Sequence, residues 1–559
     1  MWVFPFLHYV HQYPLTTFYQ EWWSALLGVL ALVLLLSLDY WQQPKIPRIV
    51  LLPAAFMGLI LLQNSLGKLP YFDQALLYLL YFLFALLMMM LGARLREVLG
   101  LQVLAMVLAV FLLAGAESNA VIGVLQYYRW HTPFDTLIVS KVAAGVYGNI
   151  AQPNHFANYI SLGLISLGLL YQLRKIPTGA VFMLALPLLF VLTLSGSRSS
   201  WIYLVMMNVL AVWGGRRFPE LQPLLKYNLG LLVGFAAMHG VVQLPFMQGA
   251  GDHYNIMHRM FADAQSGGIR LSLWHEAWLI FCQSPVFGVG FGQFVWQHFE
   301  LGPVLHRTQL TGLYNNAHNF VFQLAAEAGV TGVLAFLAAL GLWLQGLRRT
   351  VLSADRWWAY AVLGVLAIHS LLEYPLWYIY FVAIAAILLG ALDETHYRLE
   401  LRRIGQLSMA SMLLLGLLSL IQVRMDYQKL KDTLGFQSRA GLIALQDAPL
   451  LLPYVELFMT SLIEVNADHQ GEKLALNARV IRFMPISSVV YRQAFLLAQN
   501  GQKEQAQQQY KEALWSYPDY QSAHQKLVVL AQKDPAHFAA LLEFALKSEQ
   551  EYLRAIHNK

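Results

Sequence analysis

Apolar runs of roughly 17 to 25 residues, each long enough to cross a bilayer as a helix, recur along most of this chain. They begin near Trp22, Ile49, Ala75, Leu99, Phe156, Gly179, Ser199, Tyr227, Val330, Trp357, Leu376 and Gly405. About twelve spanning helices are predicted from them. Composition agrees: 58% of residues are hydrophobic and 12% charged, against roughly 25% charged in soluble domains. The expected fold class is therefore all-α, a polytopic helical bundle in a membrane.

Basic residues punctuate the runs at Lys45/Arg48, Arg94/Arg96, Arg174/Lys175, Arg216/Arg217/Lys226, Arg348/Arg349/Arg356 and Arg398/Arg402/Arg403. Placing all of them on one side satisfies the positive-inside rule and makes that side cytoplasmic. The net charge of +6 is spread over these short clusters, so it signals topology and no nucleic-acid partner is expected. A single cysteine, Cys282, excludes an internal disulfide framework and a cysteine-based metal site. The N-terminus lacks a basic stretch followed by a small-residue cleavage site, so no removable signal is expected.

The other face receives the polar segments. The longest runs from about Gly249 to Gly329 and carries IRLSLWHEAW, PVFGVGFGQF and YNNAHNFVFQLAAEAG. Beyond about Arg424 the composition becomes that of a soluble domain. The expected organisation is a transmembrane domain over 1–423, with 249–329 as its outer loop and active-site segment, and an α-helical domain over 424–559. Within the latter, Tyr491 to Pro518 reads as two amphipathic helices joined at Asn500-Gly501. Ala494, Leu497, Gly501, Ala506, Tyr510, Ala513 and Pro518 follow a tetratricopeptide-like pattern.

Several polar residues on the outer face can carry chemistry, each beside a plainer reading. Arg198, in LTLSGSRSSWIYL, either snorkels to headgroups or clamps an anion, since guanidinium binds phosphate bidentately. Arg270 lies on a predicted amphipathic helix with Leu271, Leu273, Trp274 and Trp278, and is a solvated charge or a second clamp. His318, preceded by Asn315 and Asn316 as helix-capping candidates, is a histidine satisfied by its neighbours or a general base at neutral pH. Gln152 and Asn154 of QPNH, next to His155, cap the following helix or bind sugar hydroxyls. Glu373 and Tyr374 belong to an aromatic turn at the interface. Glu117 is a lone carboxylate to which no role is given. His253 and His258 lack the spacing and acidic company of a metal site, so no metal is expected. The glycines of PVFGVGFGQF read as a turn.

The motifs GNIAQPNHFANYI, LSGSRSSWI, IRLSLWHEAW with PVFGVGFGQF, YNNAHNFVFQLAAEAGVTG and EYPLWY together resemble the bacterial protein O-oligosaccharyltransferases of the PglL type, within the O-antigen ligase and polymerase superfamily. The resemblance runs from about Pro14 into the C-terminal region. It implies an inner-membrane enzyme whose active site faces the periplasm. Such an enzyme moves a preassembled glycan from undecaprenyl diphosphate to Ser or Thr hydroxyls of exported proteins, often pilin, without a cofactor. It also implies that His318 is the essential histidine, that Gln152 and Tyr374 take part, and that Arg198 and Arg270 attend the lipid diphosphate. Asn154, His155, Asn319 and Glu373 are supporting candidates. An O-antigen ligase or polymerase is the close alternative.

Overall fold

The computed structural model describes residues 1–142, 145–249, 264–307, 310–348, 350–436 and 438–557, with the backbone alone over 264–267. His253 and His258 lie outside the described residues. The chain is mostly helical. Seven described helices are long and apolar enough to cross a membrane: Phe18–Leu35, Arg48–Ser65, Phe72–Leu99, Leu101–Tyr128, Pro219–Val241, Phe320–Leu347 and Arg402–Gly435. Thr178–Leu194 and Ile379–Leu392 are apolar but shorter. The three remaining predicted runs fall on Pro153–Gln172, Ser199–Arg217 and Ala354–Ser370, which are helical but less apolar. The chain is thus a multi-pass membrane protein.

The physical reason for that lower apolarity is clearest at Pro153–Gln172. Every residue from His155 to Leu170 is buried, so this helix is wrapped by protein and can hold Asn158, Ser161 and Ser166 away from lipid. Chain contacts divide the protein into two compact units. In the first, formed by Met1–Ala55, Tyr81–Gln265 and Ala335–Ile421, this helix is central. Leu101–Tyr128, Thr178–Leu194, Ser199–Arg217, Gln222–Val241 and Ala354–Ser370 pack around it. Small residues permit the closest approach: a Cβ on Gly163 would collide with the Ala116 side chain.

Four of the predicted cytoplasmic cations, Lys45, Arg94, Arg96 and Arg356, are held in ion pairs in this unit. Strand Lys45–Pro47 pairs antiparallel with His396–Arg398. Glu97 bridges Lys45 and Arg94, both at 3.0 Å. Glu394 bridges Arg96 at 2.8 Å and Arg356 at 2.6 Å.

The second unit comprises Phe56–Leu80, Ser266–Leu334 and Gln422–Lys559. Most of the described part of the long polar segment therefore belongs to the same compact unit as the C-terminal helices. Phe299, from helix Phe294–Val304, sits in one apolar core with Val480, Val490, Ala494, Tyr510 and Phe538. The two helices expected between Tyr491 and Pro518 are Ser487–Gln499 and Lys503–Ser516. Gly501 makes the turn between them at φ 76°, a conformation that suits glycine.

Candidate active site

Within the first unit, the QPNH segment and the EYP turn meet. Gln152 is the N-cap of the central helix, and its side-chain oxygen accepts the His155 N–H at 2.5 Å. That satisfies one of the donors a helix start leaves open. Asn154 Nδ2 donates to Glu373 Oε1 at 2.7 Å. The His155 ring packs edge-on against Tyr374 and Tyr378, with centroids 5.6 and 5.1 Å away. Burial raises the Tyr374 phenol above its ordinary value, and the neighbouring Glu373 raises it further, while a hydrogen bond with Tyr378 opposes them.

Sequence reasoning missed two partners of this cluster. His155 Nδ1 and His369 Nε2 are 2.8 Å apart, and His369 Nδ1 lies 2.8 Å from the Tyr203 hydroxyl. If Tyr203 donates to His369, then His369 donates to His155, so one tautomer set makes both bonds. A histidine inside the apolar run AVLGVLAIHSLLEYP was the available signal, because polar residues at that depth are rarely idle. Arg198, also in this unit, is exposed at the start of Ser199–Arg217. It borders a small recess shared with Ser197, Trp201, Phe235 and His239.

Arg270, His318 and Asn319 belong to the second unit. His318 is half-buried and holds a left-handed backbone, φ 49°. Such a φ is uncommon in a side-chain-bearing residue, and where it occurs the surroundings must impose it. Here Asn316 Oδ1 accepts the His318 N–H at 3.1 Å and Gln323 Oε1 accepts the Ala317 N–H at 2.7 Å. The helix itself begins at Phe320, and Asn319 Oδ1 accepts the N–H groups of Val321 and Phe322 at 3.0 and 3.2 Å. Capping therefore falls to Asn319, whereas Asn315 and Asn316 were the expected caps. Asn316 holds the loop instead.

The glycine-rich turn lies against this helix. Val289 and Gly290 donate to the carbonyls of Ala326 and Glu327 at 3.0 and 3.1 Å, and Val330 donates to that of Pro285 at 2.7 Å. Gly329 kinks the helix at φ 64°. A Cβ on Gly288 would strike the Glu327 backbone. The turn expected from the sequence thus clamps the helix that follows His318.

Arg270 is half-buried on Ala264–Gln283. One helical turn on, Trp274 stacks on Phe322 with centroids 5.4 Å apart, and Phe322 stands one turn after His318. Leu273 is buried as predicted, but Leu271 and Trp278 are exposed, so the packed face is narrower than expected. The same helix supplies Glu276 to a buried ionic cluster that the sequence did not reveal. Glu276 accepts from Arg307 at 3.2 Å and meets His298 Nδ1 at 2.7 Å. Burial lowers His298 below its ordinary value and the Arg307 charge adds to this, although the bond to Glu276 opposes both.

Family models match the chain in three places. A protein glycosylation ligase model covers residues 146–171, an O-antigen ligase model covers 180–337, and the C-terminal model of a virulence-factor membrane-bound polymerase covers 357–532. Among curated proteins, a general O-oligosaccharyltransferase of Acinetobacter baylyi is 25% identical over 93% of this chain and 89% of its own length. A ComP-specific O-oligosaccharyltransferase of the same organism is 22% identical over 68% of each chain.

Proposed function

We propose that this chain, a multi-pass membrane glycosyltransferase that belongs with the PglL-type protein O-oligosaccharyltransferases, transfers a preassembled oligosaccharide from undecaprenyl diphosphate to Ser or Thr hydroxyls of exported proteins such as pilin. The observation that carries this reading is the constrained backbone at His318, fixed by Asn316 and followed by a helix capped through Asn319. It supports a base held in place before substrate arrives.

In the proposed step His318 takes the proton of the acceptor hydroxyl as its oxygen bonds to the anomeric carbon. The bond from that carbon to the diphosphate oxygen breaks, and the diphosphate leaves with the electron pair. The anomeric configuration inverts and no glycosyl-enzyme intermediate forms. General-base assistance contributes about 10²–10⁴-fold. The leaving group needs charge neutralisation, for which Arg270 and Arg198 are the candidates, and the reaction is written without a metal or cofactor. Gln152, Asn154, Glu373 and Tyr374 offer hydrogen-bonding groups suited to sugar hydroxyls. The enzyme would lie in the bacterial inner membrane with these residues toward the periplasm, and its C-terminal region would be a tetratricopeptide-like domain.

The match to O-antigen ligase and polymerase models favours one second reading, transfer to lipid A-core or to another glycan. Purified wild type and His318→Ala, each with glycan-loaded undecaprenyl diphosphate, pilin and a chelator, distinguish the cases by intact mass. Glycan added to pilin by wild type alone supports the proposal. Glycosylation of lipid A-core with pilin untouched would replace it with the ligase reading.

A further inference from the structure

Arg492 lies in the middle of helix Ser487–Gln499 and is only 8% exposed. Its Nε and Nη1 have no hydrogen-bond partner among the described residues. Burial lowers its pKa. A desolvated guanidinium without a counter-charge is costly, and most buried arginines are paired. Arg307, also buried in this unit, has Glu276.

A second cation stands beside it. Lys526, on helix Gln521–Lys533, is exposed at the surface, and its pKa is lowered first by partial burial and then by the charge of Arg492. The two helices begin at Ser487 and Gln521, one tetratricopeptide period of 34 residues apart. Arg492 and Lys526 are separated by the same interval, so they hold equivalent positions on successive repeats. Equivalent positions on the first helices of stacked repeats share one face of the stack. The result is a buried guanidinium with an exposed ammonium near it. Their mutual repulsion persists unless an anion joins them.

We propose that Arg492 and Lys526 form a binding site for a carboxylate-bearing polypeptide segment, an acidic stretch or a free C-terminus of the protein acceptor. The choice of a polypeptide rests on the proposed function; the preference for an anion rests on the two cations alone. The planar guanidinium matches a carboxylate in two parallel hydrogen bonds, and the exposed lysine adds a point charge.

The test uses the full-length protein in detergent and a fluorescein-labelled octapeptide, Ser-Gly-Ala-Gly-Glu-Asp-Glu-Glu with a free carboxylate. Its control is the Gln/Asn analogue with an amidated end, and binding is read by polarisation without glycan donor. Wild type is expected to bind the acidic peptide and ignore the neutral one. Arg492→Met should weaken binding by roughly 10- to 100-fold, and Lys526→Gln less. Arg492→Met should also unfold at a higher temperature than wild type, because it removes an uncompensated buried charge. Unchanged binding by Arg492→Met, or equal binding of the neutral peptide, overturns the proposal. So does Arg492-dependent capture of phosphatidylglycerol vesicles in the absence of any peptide binding. Because the assay involves no transfer, His318→Ala should bind like wild type, which separates failure of this site from failure of the proposed reaction.

Discussion

The His155 and His369 rings are joined by a 2.8 Å hydrogen bond although 214 residues separate them in sequence, and Tyr203 extends the chain from the far side of His369. All three are buried. Replacing His369 with Phe keeps a ring in place but removes both of these hydrogen bonds. Each lost bond costs about 0.5–1.5 kcal/mol. His369→Phe is therefore expected to lower thermal stability in detergent more than Tyr203→Phe, which keeps the His155–His369 bond. Equal midpoints for the two variants would mean that the relay contributes little.

The Asn154–Glu373 contact makes a finer distinction. Glu373→Gln keeps an oxygen that can accept from Asn154 Nδ2 and so preserves the 2.7 Å bond. Glu373→Ala removes the acceptor and exposes Asn154 to a loss of about 1–3 kcal/mol. The Gln variant should keep near-wild-type stability while the Ala variant unfolds earlier. Glycan transfer is the second readout: activity retained in the Gln variant assigns Glu373 a positioning role, whereas loss in both points to a need for the charge itself.

Gly288 and Gly329 are predicted to tolerate no side chain. At Gly288 a Cβ would run into the Glu327 backbone, and both residues hold positive φ. Neither obstacle is a flexible side-chain end that can move aside. Gly288→Ala and Gly329→Ala should each destabilise by about 3 kcal/mol or more and abolish transfer. Gly341→Ala, where the added Cβ meets nothing within 4 Å, is the control in the same helix and should behave like wild type.

These cases mark what could be read from the chain. Every predicted apolar run coincides with a helix, because a long apolar stretch has one dominant solution in lipid. The PVFGVGFGQF turn was legible because its glycines have few other uses without a strand before them. Partners such as His155 and His369, or Glu276 and Arg307, were not. Their pairing is set by which helices pack together, and neither residue of a pair carries a local mark of the other. The cap at Asn319 was missed for a smaller reason. Three asparagines lie within five residues, and only the backbone reversal at His318 decides which one starts the helix.

Acid should weaken the second unit through His298. Its pKa is lowered in the fold from an ordinary value of 6.5, so the unfolded chain binds a proton that the folded chain refuses. Stability is then full above about pH 6.5 and falls as pH drops from there toward the folded value, where the slope ends. Unfolding midpoints at pH 7.5 and 5.5 should differ by more in wild type than in His298→Gln, which cannot titrate. An identical difference in the two proteins would assign the acid sensitivity elsewhere.

Arg270 and Arg198 are each either a diphosphate clamp or a charge that merely reaches polar surroundings, and lysine distinguishes the two. A snorkelling or solvated cation needs only its charge and a flexible stem, both of which lysine supplies. A clamp uses the planar fork, which lysine lacks. Losing one of two parallel charge-assisted bonds corresponds to about 10-fold or more in the affected constant. Arg270→Lys is expected to lower kcat/KM for the lipid-linked donor by about that factor, with the KM for the acceptor unchanged. The helix that carries Arg270 packs through Trp274 onto Phe322, in the helix that follows His318, so the loss should appear in kcat as well as in donor affinity. Arg198→Lys, measured alongside, has the same expectation if Arg198 holds the diphosphate. Full activity there would leave Arg270 as the sole clamp and reduce Arg198 to an interfacial charge.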